Sequence, residues 1–183
     1  MVRYFLGIAS YVLSRFRGLL FSLVVGRKNV GARLRIGSRV KVRKNTRLII
    51  GDDVTIWDNV IFWGPGEIVL GDRVSIGDNV VFYARKRIEV GEDSMVASFS
   101  FITDADHGTR ESSRPMNRQP FDIKPVRIGR NVWLGAGCKV LKGSIIGENS
   151  VIGANSVVKG EIPSNSVAVG APARVVKIRR DSE

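Results

Sequence analysis

Aliphatic residues recur at six-residue intervals over much of the chain, as in Ile128, Leu134, Val140, Ile146, Ile152 and Val158. Gly or Ala often follows the aliphatic residue, and a small or β-branched residue often stands four on. Longer repeats enclose these units. Val30-Gly31, Ile50-Gly51, Leu70-Gly71 and Val90-Gly91 start twenty residues apart, whereas Ile128-Gly129 and Ile146-Gly147 start eighteen apart. This hexapeptide pattern predicts coils of three short strands. The aliphatic side chain points into a stacked core, the small residue fits beside the turn, and Gly or Asn takes the corner dihedrals. An extra aliphatic (Leu48, Ile68, Ile88 and Val126) stands two residues before the motif at 50, 70, 90 and 128, so the longer coils extend one side without breaking the inward alternation. The fold class is therefore all-β, a parallel β-helix. About seven coils at ~4.8 Å each would stand about 34 Å tall.

The repeat disappears between Ile102 and Val126. The loop 103–125 is polar and carries His107, the single histidine of the chain. A long patternless loop in a regular solenoid is more often functional than accidental. Asp104 and Asp106 flank His107 and could orient its imidazole for general-base work, whereas a lone loop histidine is otherwise a solvated surface group. Cys138, the single cysteine, suits a reducing compartment and occupies a small-residue slot equivalent to Val132 and Ser144, which assigns it to packing rather than nucleophilic attack.

Charge changes the picture at one end only. The net charge is +12, and residues 1–51 hold twelve Lys or Arg and no Asp or Glu, so the excess is all N-terminal. Within residues 4–25, Phe5, Ile8, Val12, Phe16, Leu19 and Leu23 fall at helical spacing, interrupted by Arg15 and Arg17. A spanning helix and a cleaved signal peptide are not expected. The segment reads either as a helix capping the open first coil or as an interfacial helix on an anionic membrane. Nucleic acid is not an expected partner, since no binding motif or interleaved stacking aromatics are present. The organisation is residues 1–28 as the basic apolar helical segment, 29–178 as the β-helix, and 179–183 as a tail.

Asp106-His107 with Gln119 downstream, Val126-Arg127-Ile128-Gly129-Arg130-Asn131-Val132-Trp133-Leu134-Gly135-Ala136, Ile152-Gly153-Ala154-Asn155-Ser156 and Val169-Gly170-Ala171-Pro172-Ala173-Arg174 together resemble the left-handed β-helix acyltransferases. Among them, the resemblance is to the maltose and galactoside O-acetyltransferases, the nodulation-type acetyltransferases and the cell-surface polysaccharide O-acetyltransferases. The resemblance covers residues 30–178. It implies a left-handed coil, a homotrimer, and acetyl-CoA as donor in the groove between neighbouring subunits, with no metal. It also implies that His107 takes the proton of an acceptor hydroxyl as that oxygen attacks the thioester. A turn N–H would then hold the oxyanion. Trp133 matches a tryptophan beside the acetyl and acceptor groups, or stands as an outward aromatic at the trimer seam. Gly135, Ala136, Gly153 and Ala154 match positions where pantetheine approaches the backbone, which turn geometry alone would also explain. Lys159, Arg174 and Lys177 match basic residues that meet the cofactor.

Three departures carry information. Lys159-Gly160 shifts the usual lysine by one position. Phe82-Tyr83-Ala84 is followed by Arg85 where the simple-sugar enzymes have asparagine, and a cation there favours a negatively charged acceptor. The N-terminal segment is basic and apolar instead of polar. The resulting expectation is an O-acetyltransferase of a cell-surface glycan or its lipid-linked precursor, cytoplasmic or peripheral on the cytoplasmic membrane face, with Arg85, Asp104, Asp106 and Trp133 contacting the acceptor. An N-acetyltransferase of a nucleotide-linked amino sugar is the alternative within the fold, and a non-catalytic scaffold the alternative outside it. A β-helix carbonic anhydrase would need three histidines per site, which one histidine per chain does not supply.

Overall fold

The computed structural model describes residues 2–180, the side chains of residues 2–11 excepted. The expected tail beyond Arg180, and the side chains of Phe5 and Ile8, lie outside the described residues.

Three parallel sheets form the faces of a prism. The first face runs from Arg35–Ile36 to Ser166–Gly170, the second from Lys41–Val42 to Val157–Val158, and the third from Arg47–Ile50 to Glu161–Ile162. Ile36 pairs with Ile56 and Ile56 with Ile76, one repeat apart. Val96 then pairs with Leu134, so the long insertion leaves the coil register intact. The extra residues of the long coils lengthen the strands on either side of the corner between the second and third faces. Ile61–Trp63 and Glu67–Leu70 flank it in a long coil, against Lys139–Val140 and Ile145–Ile146 in a short one.

Inward residues stack in columns: Ile56, Ile76 and Leu134 on the first face, Phe62, Phe82 and Ile102 on the second, and Ile68, Ile88 and Val126 on the third, all buried. The Phe62 and Phe82 rings lie 5.3 Å apart and nearly parallel. Each such aliphatic or aromatic side chain contributes about 1.5–3 kcal/mol of transfer free energy. The corners explain the Gly-Asp pairs of the repeat. A Cβ on Gly51 would lie 2.3 Å from Asp72 Oδ1, and that oxygen accepts the Asp52 N–H at 2.8 Å. Glycine leaves the space and the next coil's aspartate closes the turn. Asn59, Asn79 and Asn155 take left-handed dihedrals at the corner between the first and second faces, where short polar side chains are tolerated.

Helix α1, Val2–Val25, covers the first coil. A Cβ on Gly18 would meet the Leu34 carbonyl oxygen at 2.4 Å, so the helix lies directly on the coil backbone there. Phe21 and Val25 pack against the core. Val12, Phe16, Leu19 and Leu23, four members of the apolar stripe, point away and are more than half exposed. The helix therefore caps with one side and presents its apolar stripe with another. Among the described residues, no helix is long and apolar enough to cross a membrane.

Candidate active site

The insertion leaves the second face at Phe101–Thr103 and returns at Val126–Ile128 on the third, so it replaces one turn of that corner. Its base is a short antiparallel pair in which Ala105 faces Ile123 and Asp106 faces Asp122. Two carboxylates directly opposite each other would repel. The Lys142 ammonium, from the next coil at the same corner, resolves this by pairing with Asp106 and standing 3.4 Å from Asp122. The hydrogen bond to Asp106, reinforced by both carboxylates, raises the Lys142 pKa above its usual value. Further out, buried Gln119 holds the loop together, accepting the Glu111 N–H and donating to the carbonyls of Glu111 and Arg114.

These elements enclose a cleft of about 560 Å³ lined by Asp106, His107, Glu111, Gln119, Phe121 and Lys142, among others. His107 is exposed to it, and its ring lies 4.5 Å from that of Phe121. Against the same Phe121 ring rests the Arg85 guanidinium, 3.8 Å from the centroid. Arg85 Nη1 also donates to Tyr83 Oη at 3.0 Å, while its Nε is buried without a partner. The structure thus brings Arg85 and His107 to one aromatic ring.

Asp104 is a correction to the expected substrate contact. Its side chain is fully buried, and its oxygens accept the backbone N–H groups of Arg85, Lys86 and Arg87, each at 2.7 Å. It fixes the turn that carries Arg85 and leaves no oxygen for a substrate or for the imidazole. Asp106 turns to Lys142 rather than to His107, and among the described residues no carboxylate hydrogen-bonds the imidazole.

The remaining candidates lie outside this cleft. Gly135, Ala136, Gly153 and Ala154 lie between the first and second faces. Stacking accounts for both glycines, since a Cβ on Gly135 would meet Ala154 N at 2.6 Å and one on Gly153 would meet Val169 Cγ1 at 2.7 Å; Ala136 and Ala154 form exposed tips. Trp133 is exposed on the first face beside its strand partner Met95. Phe99, two-thirds exposed, holds a left-handed φ of 64° at the neighbouring corner. Lys159 is exposed at the His107 corner, and Arg174 and Lys177 are exposed on the terminal strand Ala173–Ile178. None of these cofactor candidates lines the His107 cleft of the same chain. Cys138 is buried and its thiol pKa is raised by that burial, as suits a packing role. Among the described residues, no cluster of three His, Cys, Asp or Glu side chains could hold a metal. Phe121, Lys142 and Tyr83 were not singled out for the site by the repeat pattern; the coil register, which stacks Lys142 over the loop, is the signal that could have found the lysine.

Residues 125–160 match the family model for the bacterial transferase hexapeptide, six repeats. Over these residues the chain carries the repeat of that family. Over 97 residues it is 41% identical to Escherichia coli WbbJ, whose name describes a lipopolysaccharide biosynthesis O-acetyl transferase, covering 49% of this chain and 50% of that one. It is 31% identical over 96 residues to the E. coli galactoside O-acetyltransferase, covering 52% and 46%. The matched segments thus span about half the length of these two relatives. Among solved structures, a maltose O-acetyltransferase from Clostridium difficile superposes with a TM-score of 0.57 at 26% identity, over 93% of this chain and 89% of that one. The Bacillus cereus N-acyltransferase AntD, in complex with dTDP and coenzyme A, superposes with a TM-score of 0.74 at 23% identity, over 82% and 84%. The fold is the left-handed β-helix of these acyltransferases.

Proposed function

We propose that this protein is an acetyl-CoA-dependent O-acetyltransferase of the hexapeptide-repeat kind, acting on a sugar hydroxyl of a cell-surface glycan or its lipid-linked precursor. The observation that carries the reading is His107, exposed on the wall of the cleft where the loop interrupts the repeat, with a cation, Arg85, on the same aromatic ring. The WbbJ and galactoside relatives support O-acetylation. Acetyl-CoA supplies the activated acetyl group; Arg174 and Lys177 on the terminal strand and Lys159 at the His107 corner offer exposed cations for its phosphates, and the small tips Ala136 and Ala154 leave room for its pantetheine arm. His107 accepts the proton of the acceptor hydroxyl as that oxygen attacks, then returns a proton to the departing thiolate. No side chain is acylated.

Because the small tips and Trp133 lie on a different corner from His107, a complete site needs the His107 corner of one chain against the Trp133 corner of another. Met95, Phe99 and Trp133 form an exposed apolar group suited to such a seam, and threefold closure leaves no unpaired copy of it. The exposed stripe of α1, flanked by Arg15 and Arg17, suits an anionic membrane surface.

Transfer to a glycan acceptor, followed by release of free CoA thiol, tests the enzyme reading. His107→Ala should lose about 10²–10⁴-fold in turnover with CoA binding retained. Near-normal turnover would refute the base, and preferential acetylation of a dTDP-linked amino sugar would move the reaction to nitrogen. Sedimentation with phosphatidylserine vesicles tests the helix. Binding should weaken in Phe16→Ser with Leu19→Ser, and equal pelleting by that variant would refute membrane docking.

A further inference from the structure

The Arg85–Phe121–His107 contact is the upper end of a longer ladder on the same corner. Residues 43, 63 and 83 occupy one position in three successive coils. The Arg43 guanidinium lies 5.3 Å from the centre of the Trp63 ring. Trp63 lies 4.7 Å from the Tyr83 ring, tilted by 45°. Tyr83 Oη in turn accepts from Arg85. Cation, indole, phenol and cation therefore succeed one another from the first coil up to the cleft, with Arg43 and Arg85 two coil steps, about 10 Å, apart.

The neighbouring third face handles its charges differently. There Arg47, Glu67, Arg87 and Glu89 neutralise one another in a continuous chain of ion pairs. Among the described residues, the side chains of Arg43, Lys44, Arg85 and Lys86 form no ion pair, although Glu67 and Glu89 stand on the adjoining strands. Trp63 remains more than one-third exposed, at the middle of the ladder. Packing does not require an exposed tryptophan between unneutralised cations, since the core of these coils is already filled from inside by Phe62 and Phe82.

We propose that Arg43, Trp63, Tyr83 and Arg85 form an extended track for an anionic oligosaccharide, with the sugar ring to be acetylated at His107 and earlier rings lying back along the corner toward α1. Aromatic faces stack on the apolar faces of sugar rings, and the two arginines meet carboxylates or phosphates spaced along the glycan. The inference rests on the acetyltransferase reading for the direction of the track, but its binding chemistry stands apart from catalysis. It implies selection for an acidic chain of several sugars over a single neutral sugar.

Tetragalacturonate serves as the probe, followed by calorimetry and by quenching of tryptophan fluorescence on the full-length protein. The wild type should bind it at least about tenfold more tightly than galacturonate or the neutral maltotetraose, with affinity falling as salt rises. Trp63→Ala and Arg43→Gln should each weaken binding about five- to tenfold, Trp63→Phe should recover part of the loss, and the melting temperature should report whether each variant remains folded. Both substituted side chains lie outside the buried core, and Arg43→Gln serves by itself should Trp63→Ala fail to fold. Equal affinity for the tetramer and the monomer, unchanged affinity in Arg43→Gln, or tighter binding of single-stranded oligothymidylate than of tetragalacturonate would overturn the proposal. Because no turnover is measured, loss of the track leaves the His107 assignment standing, and failure of the His107 test leaves the track standing.

Discussion

Asp104→Asn is the most direct test of how the cleft is held. The carboxylate accepts three backbone N–H groups at 2.7 Å, one on Oδ1 and two on Oδ2, in a fully buried position. Hydrogen bonds to a charged acceptor contribute about 1.5–3 kcal/mol each, against about 0.5–1.5 for neutral pairs. Asparagine is nearly the same shape. With its carbonyl in the Oδ2 place it keeps the bonds from Lys86 and Arg87 in weaker, neutral form, and its amide then faces the Arg85 N–H, donor against donor. One strong bond is lost and two are weakened, so the cost should be about 3–4 kcal/mol. For a domain of this size each kcal/mol lowers the melting temperature by about 2–4 °C, which places the variant about 6–16 °C below the wild type. Circular dichroism reads the melt, and hydrogen exchange at residues 85–87 locates it. Asp72→Asn is the control. It disturbs a single exposed turn bond and should cost under about 1 kcal/mol. An Asp104→Asn variant melting within about 1 °C of the wild type, or with exchange at 85–87 unchanged, would show that the three bonds do not hold the turn.

Two further outcomes follow from burial and charge. Cys138→Ala should retain most of the transfer activity, and in the wild type the thiol should react with Ellman's reagent at pH 8 only on unfolding, because burial raises its pKa and encloses it; rapid labelling of the native protein would contradict this. Asp58 accepts the Ser38 N–H at 2.8 Å and the Ser38 hydroxyl at 2.7 Å, which hold its pKa below the usual carboxylate range. Its stabilisation is therefore present above the unfolded value of about 4 and is lost as pH falls through the lowered folded value. Asp58→Asn should be less stable than the wild type at pH 7, with the gap in urea midpoint narrowing at pH 3, whereas a gap independent of pH would refute the assignment.

The coil architecture was legible because it is written in short-range pattern: six-residue spacing of aliphatics, small residues beside turns, and extra aliphatics that mark the lengthened strands. Cys138 was legible for the same reason, as one member of a column with Val132 and Ser144. The break at 102–126 located the cleft, and its histidine is exposed there. The route of the loop was not legible. Sequence adjacency placed Asp104 beside His107, but the chain turns after Thr103, and the carboxylate finds three amides in a turn nearly twenty residues upstream. Phe121 and Lys142 enter the cleft through the antiparallel base pair and the next coil, neither of which hexapeptide spacing encodes. For α1, periodicity found the apolar stripe but not the side that packs. Gly18 was the available signal, since a glycine within a helix often marks a close backbone approach.

A solenoid can accept a long insertion at one corner at little cost because each strand takes its register from the coil beneath it and not from the chain that precedes it. Val96 pairs with Leu134, and Phe101 with Lys139, as though the intervening residues were an ordinary turn. The corner between the second and third faces is also where the long coils carry their extra residues, so its strands reach furthest outward there, bringing Trp63 and Tyr83 into line with Arg85. Lengthened strands and inserted loop thus serve one surface. After the insertion the coils shorten to eighteen residues, and with a two-residue strand in place of three, Lys139–Val140 gives the ladder no further aromatic rung. The ladder therefore ends where the loop begins, and an acceptor lying along it would meet His107 at its terminus.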